Sequence, residues 1–531
     1  MKVRLSIYLA KKTAKELEQL LNLERVKAPI ELTLTDAKAH LFIKQDYEPQ
    51  IPEWADLFFS AKPDLPYDIF GRNSSTGAIL LIDYKGERFI FPFGTGHHLI
   101  NDNYIVREFG LKVTLNSISQ NKIRSLDKGN HNETNLLTRS QSTREVSIYN
   151  LKIDSELDIL TTLTGICTED LLGDKVTGRD ALVITPDMSF GEITGLLDKI
   201  IEIYKKPLPN EFEWINNIKQ ADDEEVEILD FELVDLINSG DFTDIIIGEP
   251  EIVDWEKQIG YCFERRNNSP IYPVLALGNF LEYCKFRKID ITIDVLKNKN
   301  IHSLNEQYES IKSWSIYRCL YAEIKSGDKS YILRNGVWYC ADTKFLLSID
   351  DEINKIPTYE NSQWLPTYSF DYEEDYIKDV CAKDSSFHLM DQKFIYHGSG
   401  HSKIEFCDMI KDGKTLIHVK YYTGSQSMSH LFSQGYVSGE LFVGDKEFRK
   451  KLNVHLPDDL QTDFNLRPET KDYKIVFAIA TKNELPKGLP LFSKINLKNF
   501  HRQLSNLGYN VRLCKIDIDE LIYKKKTYRP S

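Results

Sequence analysis

The stretch KIEFCDMIKDGKTLIHVKYYTGSQSMSHLFSQGY, residues 403–436, decides how the C-terminal part of this chain is read. Two acids three positions apart, Glu405 and Asp408, lie in an apolar run; the turn KDGK follows, and a second apolar run ends in Lys420. The pattern predicts a strand over 402–410, a tight turn, a strand over 415–422, and a helical run from 427 that carries Ser427, Ser429, His430 and Gln434. Alternation along a strand puts His418 and Lys420 on one face. Glu405 and Asp408 share a face only if the strand ends or bulges between them.

Working outward, KFIYHG (393–398) predicts an earlier strand and YKIVFAIATK (473–482) a buried one. NLKNFHRQLSNLG (496–508) predicts a helix closed by Gly508, and YNVRLCKIDI (509–518) a last strand. The order β-β-β-α-β-α-β resembles the restriction-endonuclease-like, or PD-(D/E)XK, core. The expected fold is therefore mixed α/β and multidomain, with a C-terminal domain of that kind. The resemblance implies that Glu405 and Asp408 hold Mg2+ and that Lys420 positions a water and stabilises a phosphorane-like state. Gln434 falls where some of those nucleases carry a glutamine.

The motif departs from acid-x-Lys: it reads His418-Val419-Lys420. Imidazole is a poorer partner than carboxylate for so hard an ion. Cleavage of an N-glycosidic bond tolerates the change, because it needs no metal. It needs a carboxylate, Asp408 or Glu405, to stabilise an oxocarbenium-like sugar, and a donor such as His418 for the departing base. The target base would be flipped from the stack. An α/β domain with solvated charges is the plain alternative.

The whole chain has 531 residues, 41% hydrophobic and 28% charged, a soluble globular composition that predicts two to four domains. Its net charge is −13, but residues 391–531 hold 23 Lys+Arg against 16 Asp+Glu, which leaves −20 on the first 390. A mildly basic C-terminal region suits phosphate binding. The domains expected are an N-terminal α/β domain over 1–218, a middle α+β region over 230–385, and the restriction-endonuclease-like domain over 386–531. The acidic run QADDEEVEIL (220–229) reads as a linker or an exposed helix start. A hairpin is expected to turn at Lys85-Gly86, and a meander at 326–328 and Asn335-Gly336. Eight scattered cysteines without a CxxC pair predict reduced thiols. No run of 18 apolar residues and no signal-peptide pattern is found, so a cytoplasmic protein without membrane contact is expected.

Three weaker constellations remain. FPFGTGHHLINDNY (91–104) sets His97 and His98 beside a GxG, either a phosphate cradle or a plain turn before a helix. LTRSQSTREVSIYNL (137–151) gathers Arg139, Gln141 and Arg144 in a contact loop or a solvated one. Lys524, Lys525 and Lys526 could touch phosphates. Walker, HExxH, nucleophile-elbow and kinase motifs are absent, which argues against nucleotide hydrolysis and serine-type hydrolysis.

The blocks LSIYLAK, FGTGHHLI with VREFGLKVTLNSI, VTGRDAL (176–182), IEFCD with LIHVK and SHLFSQG, and LPLFSKINL are similar to a sporadically distributed bacterial family of unknown function found in mobile and defence islands. That resemblance extends to a DNA glycosylase that inhibits bacteriophage replication by excising glucosylated hydroxymethylcytosine, leaving abasic sites. It implies an anti-phage enzyme acting on base-modified phage double-stranded DNA, and it transfers a function class, not a site. The first expectation is thus a cofactor-free DNA glycosylase. The alternative is a Mg2+-dependent nuclease using Glu405, Asp408 and Lys420, and the second alternative a non-catalytic DNA-binding sensor.

Overall fold

A computed structural model describes residues 2–527 apart from 46–50, 52–54, 63, 67, 73–75, 131–135, 265–269, 307, 309, 328, 360–363 and 398–401. Residues 5–184 build a ten-stranded antiparallel sheet in which Leu5–Leu9 pairs with Glu87–Gly94 on one side and Leu182–Ile184 on the other. The hairpin Gly77–Tyr84 with Glu87–Gly94 turns at Lys85 (φ 50) and Gly86 (φ 79), the two positive φ values that a two-residue hairpin turn requires. The stretch taken from sequence as a loop from 137 is instead the edge strand Leu136–Val146. Its residues are exposed or only partly buried, and a strand so solvated reads as polar coil.

A second antiparallel sheet follows the order Ile218–Gln220, Val337–Ala341, Lys329–Arg334, Leu320–Ser326, Ile245–Ile247. It holds the expected meander, with Asn335 (φ 48) and Gly336 (φ 71) at one turn; Asp328 of the other turn lies outside the described residues. The acidic run opens the helix Asp223–Ser239, where Asp222 and Glu225 form a reciprocal capping box.

The C-terminal sheet has six strands in the order Thr358–Tyr359, Asn510–Ile516, Lys474–Ala480, Thr415–Tyr421, Met409–Lys411, Phe387–Leu389. The first four run parallel, Met409–Lys411 is antiparallel to its neighbours, and Phe387–Leu389 returns to the common direction. Lys474–Ala480 is buried along nearly its whole length, as a central parallel strand must be. Tyr376, Ile377 and Val380 of the helix Glu373–Lys383 cover one face with Ile417, Val419 and Val476. Met428, Leu431 and Phe432 of the helix Ser425–Gly444 cover the other with Leu416, Ile475 and Phe477, joined by Leu497 and Leu504 of the helix Leu491–Asn506. By sheet membership this unit starts at Thr358, so the helix Glu373–Lys383 belongs with it.

The strand expected over 402–410 is broken. Ser402–Ile404 pairs with Ile395–His397 in a separate two-stranded hairpin, Met409–Lys411 enters the main sheet, and residues 405–408 lie between. The strand expected over 393–398 likewise joins the small hairpin, and Phe387–Leu389 takes the first place in the sheet.

Candidate functional site: a carboxylate cluster at the hairpin's feet

The break between Ile404 and Met409 brings Glu405 and Asp408 together, which an unbroken strand could not do with a spacing of three. The two ends of the hairpin then add a third acid. Met390 and Asp391 both donate their backbone N–H to the carbonyl of Asp408, at 2.9 Å each. Gln392, at φ 62, turns its N–H onto Oε1 of Glu405, 2.7 Å away. One carboxylate oxygen each from Asp391, Glu405 and Asp408 then falls within 4.8 Å of the others, all three residues partly buried.

This arrangement is electrostatically costly. Burial pushes the Asp408 carboxyl up to about 8, against a 2.6 Å hydrogen bond from the Val419 N–H that pulls the other way, with Glu405 and Asp391 raising it further. Burial and then the charge of Glu405 push Asp391 up to about 6. Carboxylates sharing one site cannot all ionise unless a proton or a cation sits among them. Oδ2 of Asp391 is buried with no hydrogen-bond partner. Three hard oxygen donors, one of them unsatisfied, form a ligand set suited to Mg2+ or Mn2+.

Lys420 stands at the C-terminal end of its strand, where Nζ donates to Oε2 of Glu373 at 2.7 Å. Oε1 of Glu373 accepts from the Tyr421 N–H at 2.9 Å, so the first turn of the helix Glu373–Lys383 is clamped to the lysine strand. Gln392 fastens the same turn to the acid loop, donating from Nε2 to Oε2 of Glu374 at 2.7 Å.

His418 does not join the cluster. It is 3% exposed, its ring 6.1 Å from that of Phe477, and Nε2 has no partner. Burial pulls its pKa down to about 4, so the imidazole is neutral near pH 7. Gly435 permits this packing: a Cβ there would meet the Phe477 ring at 2.6 Å and His418 Cδ2 at 3.5 Å. Of the helix residues, Ser429 is buried and accepts from Asn496 Nδ2 at 2.6 Å, a helix-to-helix contact, while Ser427 donates to the Gly424 carbonyl in the first turn. His430 is exposed and Gln434 partly so. Lys525 pairs with Asp371 at 2.6 Å, Lys524 is exposed, and the Lys526 side chain lies outside the described residues. In the N-terminal region, His97 and His98 lie on a 3-10 turn with ring centroids 3.9 Å apart and planes tilted by 38°. Arg139 is held by both oxygens of Asp127, and Gln141 and Arg144 are exposed on the edge strand.

Asp391 and Glu373 were not singled out from sequence. Asp391 stands two residues before the run KFIYHG, and Glu373 in the acidic YEEDY that opens its helix; neither signal separates a ligand from an exposed acid.

The fold and this cluster define a multidomain mixed α/β protein with three grouped carboxylates and, on the neighbouring strand, a lysine clamped by Glu373. Residues 5–517 match a family model described as "Family of unknown function (DUF6119)", and the chain belongs to that family. No curated protein and no solved structure matches it. Among the described residues no helix is long and apolar enough to cross a membrane.

Proposed function

We propose that this protein is a metal-dependent nuclease acting on foreign DNA, its C-terminal domain a restriction-endonuclease-like core. The observation that carries the reading is the unsatisfied, buried Oδ2 of Asp391 within a three-carboxylate cluster. The topology supports it: five strands in sequential order with only the second antiparallel, a helix before the first and another after the third. Asp391, Glu405 and Asp408 would hold a divalent cation, which supplies Lewis-acid activation of the phosphodiester and of a water. Lys420 would meet the negative charge that develops on the phosphorus oxygens, held in place by Glu373. His418, in the position that lost its carboxylate, stays in the core as a neutral packing group.

A second reading, the DNA glycosylase expected first from sequence, draws on a different property of the same site. With a pKa of about 8, Asp408 keeps its proton near pH 7 and could deliver it to a departing base. It must do so without His418, which is buried away from the acids.

One assay separates them. Plain and base-modified phage DNA is incubated with the protein in EDTA or Mg2+, and the products are run on gels with and without alkali. The nuclease reading expects direct breaks that need the metal and vanish in Asp408→Asn. Breaks in EDTA that need alkali and occur only on modified DNA would replace it with base excision. No breaks in any lane would leave a DNA-binding sensor.

A further inference from the structure

The hairpin Ile395–His397 with Ser402–Ile404 rises directly from the acids: Asp391 lies just before one leg, and Glu405 follows the other. Its two faces differ. Ile395 is buried and Ile404 packs beside it against the helical core. On the opposite face Tyr396 is paired in register with Lys403, and Phe394, two residues before Tyr396, shares that side. Phe394 is 37% exposed, Tyr396 49%, and Lys403 is exposed with Nζ 5.6 Å above the Phe394 ring. Phe394 and Tyr396 thus leave about a third and a half of their surface in water, apolar area that the fold does not cover and that a ligand can. The helix Lys446–Asn453 borders the hairpin, Lys451 Nζ donating to the Tyr396 carbonyl at 2.6 Å, and Lys450, the preceding residue of that helix, is exposed.

Bases stack on aromatic faces and phosphates follow lysines, and interleaving of the two marks a surface that reads unpaired strands. We propose that Phe394, Tyr396, Lys403, Lys450 and Lys451 form a platform for a single-stranded or locally unpaired nucleic-acid segment. The platform leads its phosphodiester to Asp391, Glu405 and Asp408. This deepens the nuclease reading and rests on it for the role of the acids, but not for the binding itself. An unpaired segment fits better than a duplex because the rings are open to stacking only if bases are splayed from their partners.

The test is fluorescence anisotropy of the full chain with labelled single-stranded and duplex oligonucleotides in EDTA, over a range of salt. Lys403→Glu with Lys450→Glu is expected to weaken single-strand binding at least about tenfold and to flatten its salt dependence. Tyr396→Ala is expected to weaken it by about five- to a hundredfold, with Tyr396→Phe restoring it. Lys15→Glu with Lys38→Glu, the same charge change at exposed lysines of the N-terminal region, should have little effect. The platform is overturned if the wild type binds no single strand, if the two lysine pairs behave alike, or if Tyr396→Ala binds like wild type. Metal-dependent cleavage with unchanged affinity in these variants would sink the platform and leave the nuclease reading standing. Lost affinity in a protein that cleaves nothing would do the reverse.

Discussion

Two groups of buried carboxylates in this molecule have similar pKa shifts and opposite surroundings. At the joint between the middle sheet and the C-terminal domain, burial pushes Glu323 up to about 8 and Asp244 to about 6. Yet every oxygen there is used. Asp244 accepts from the Ser425 N–H and the Tyr422 hydroxyl, both at 2.9 Å; Glu323 accepts from the Ser425 hydroxyl at 3.0 Å and from the N–H of Leu491. Ser425 and Leu491 sit at the starts of two helices, where the backbone already favours negative charge. At the hairpin's feet Asp391 and Asp408 show the same shifts, about 6 and 8; acid faces acid in both places, as Asp244 does Glu323 at the joint, but at the feet one buried oxygen has no partner. A raised pKa alone therefore does not mark a site. What separates the two clusters is unmet demand for a donor or a cation.

If that distinction holds, substitutions should act oppositely in the two places. The largest effect is expected at the feet. Asp391→Asn or Asp408→Asn should lower metal-dependent cleavage by about a thousandfold or more, several kcal/mol of transition-state stabilisation, while thermal denaturation near pH 7 shows equal or higher stability: the first removes a charge that faces Glu405, and the second replaces a carboxyl that is already neutral by an amide that keeps an oxygen for the Val419 N–H. Loss of folding in both variants would mean that these acids are structural. Next, Mg2+ or Mn2+ should raise the melting temperature of the wild type, by about 2.7 kcal/mol of stability at a hundredfold excess over Kd. The shift should disappear in Asp391→Asn and stay intact in Glu323→Gln. An equal shift in all three proteins would place the cation elsewhere.

The joint depends on a glycine. Gly424 has φ 133, and a Cβ there would come 2.2 Å from the carbonyl oxygen of Thr243, beside Asp244. Gly424→Ala should cost about 2 kcal/mol in chemical denaturation through strain and displaced packing. Because this residue lies four positions after Lys420, cleavage should fall with it; unaltered stability would show that the joint tolerates movement.

Much of the C-terminal fold is legible in residue pattern, and much less of the site. IVFAIA is apolar at every position because both faces of its strand are covered, and DG between two apolar runs marks a turn whose Asp412 and Gly413 indeed take positive φ. The cluster depends on tertiary pairing that no local pattern records. Asp391 is brought to Glu405 by the hairpin between them and by the αL turn at Gln392, a residue type not associated with that conformation. His418 looks like a replaced ligand because its place in the motif is conspicuous. Its burial follows from Phe477 and Gly435, 59 and 17 positions further on, which only the packed sheet brings near.

The smallest effect expected, and the most direct on the meaning of a raised pKa, concerns Glu323. Its folded pKa of about 8 lies above its ordinary value of 4.5, so the folded chain holds a proton there that the unfolded chain has released. The stability this proton contributes is complete below about pH 4.5 and is lost as pH rises through about 8. Asp244, near 6, adds to the same decline at lower pH, with Asp241 opposing its ionisation. Gln keeps one accepting oxygen for the Leu491 N–H, and its amide can donate to Ser425, whose hydroxyl rotates to accept. Glu323→Gln should therefore match the wild type near pH 5 and exceed it at pH 8.5 by about 1 kcal/mol or more, since one pKa unit corresponds to about 1.4 kcal/mol. Urea denaturation at the two pH values measures the difference. If the variant is weaker at both, the ionised carboxylate is what the two helix starts need, and the joint is an ion-binding contact after all.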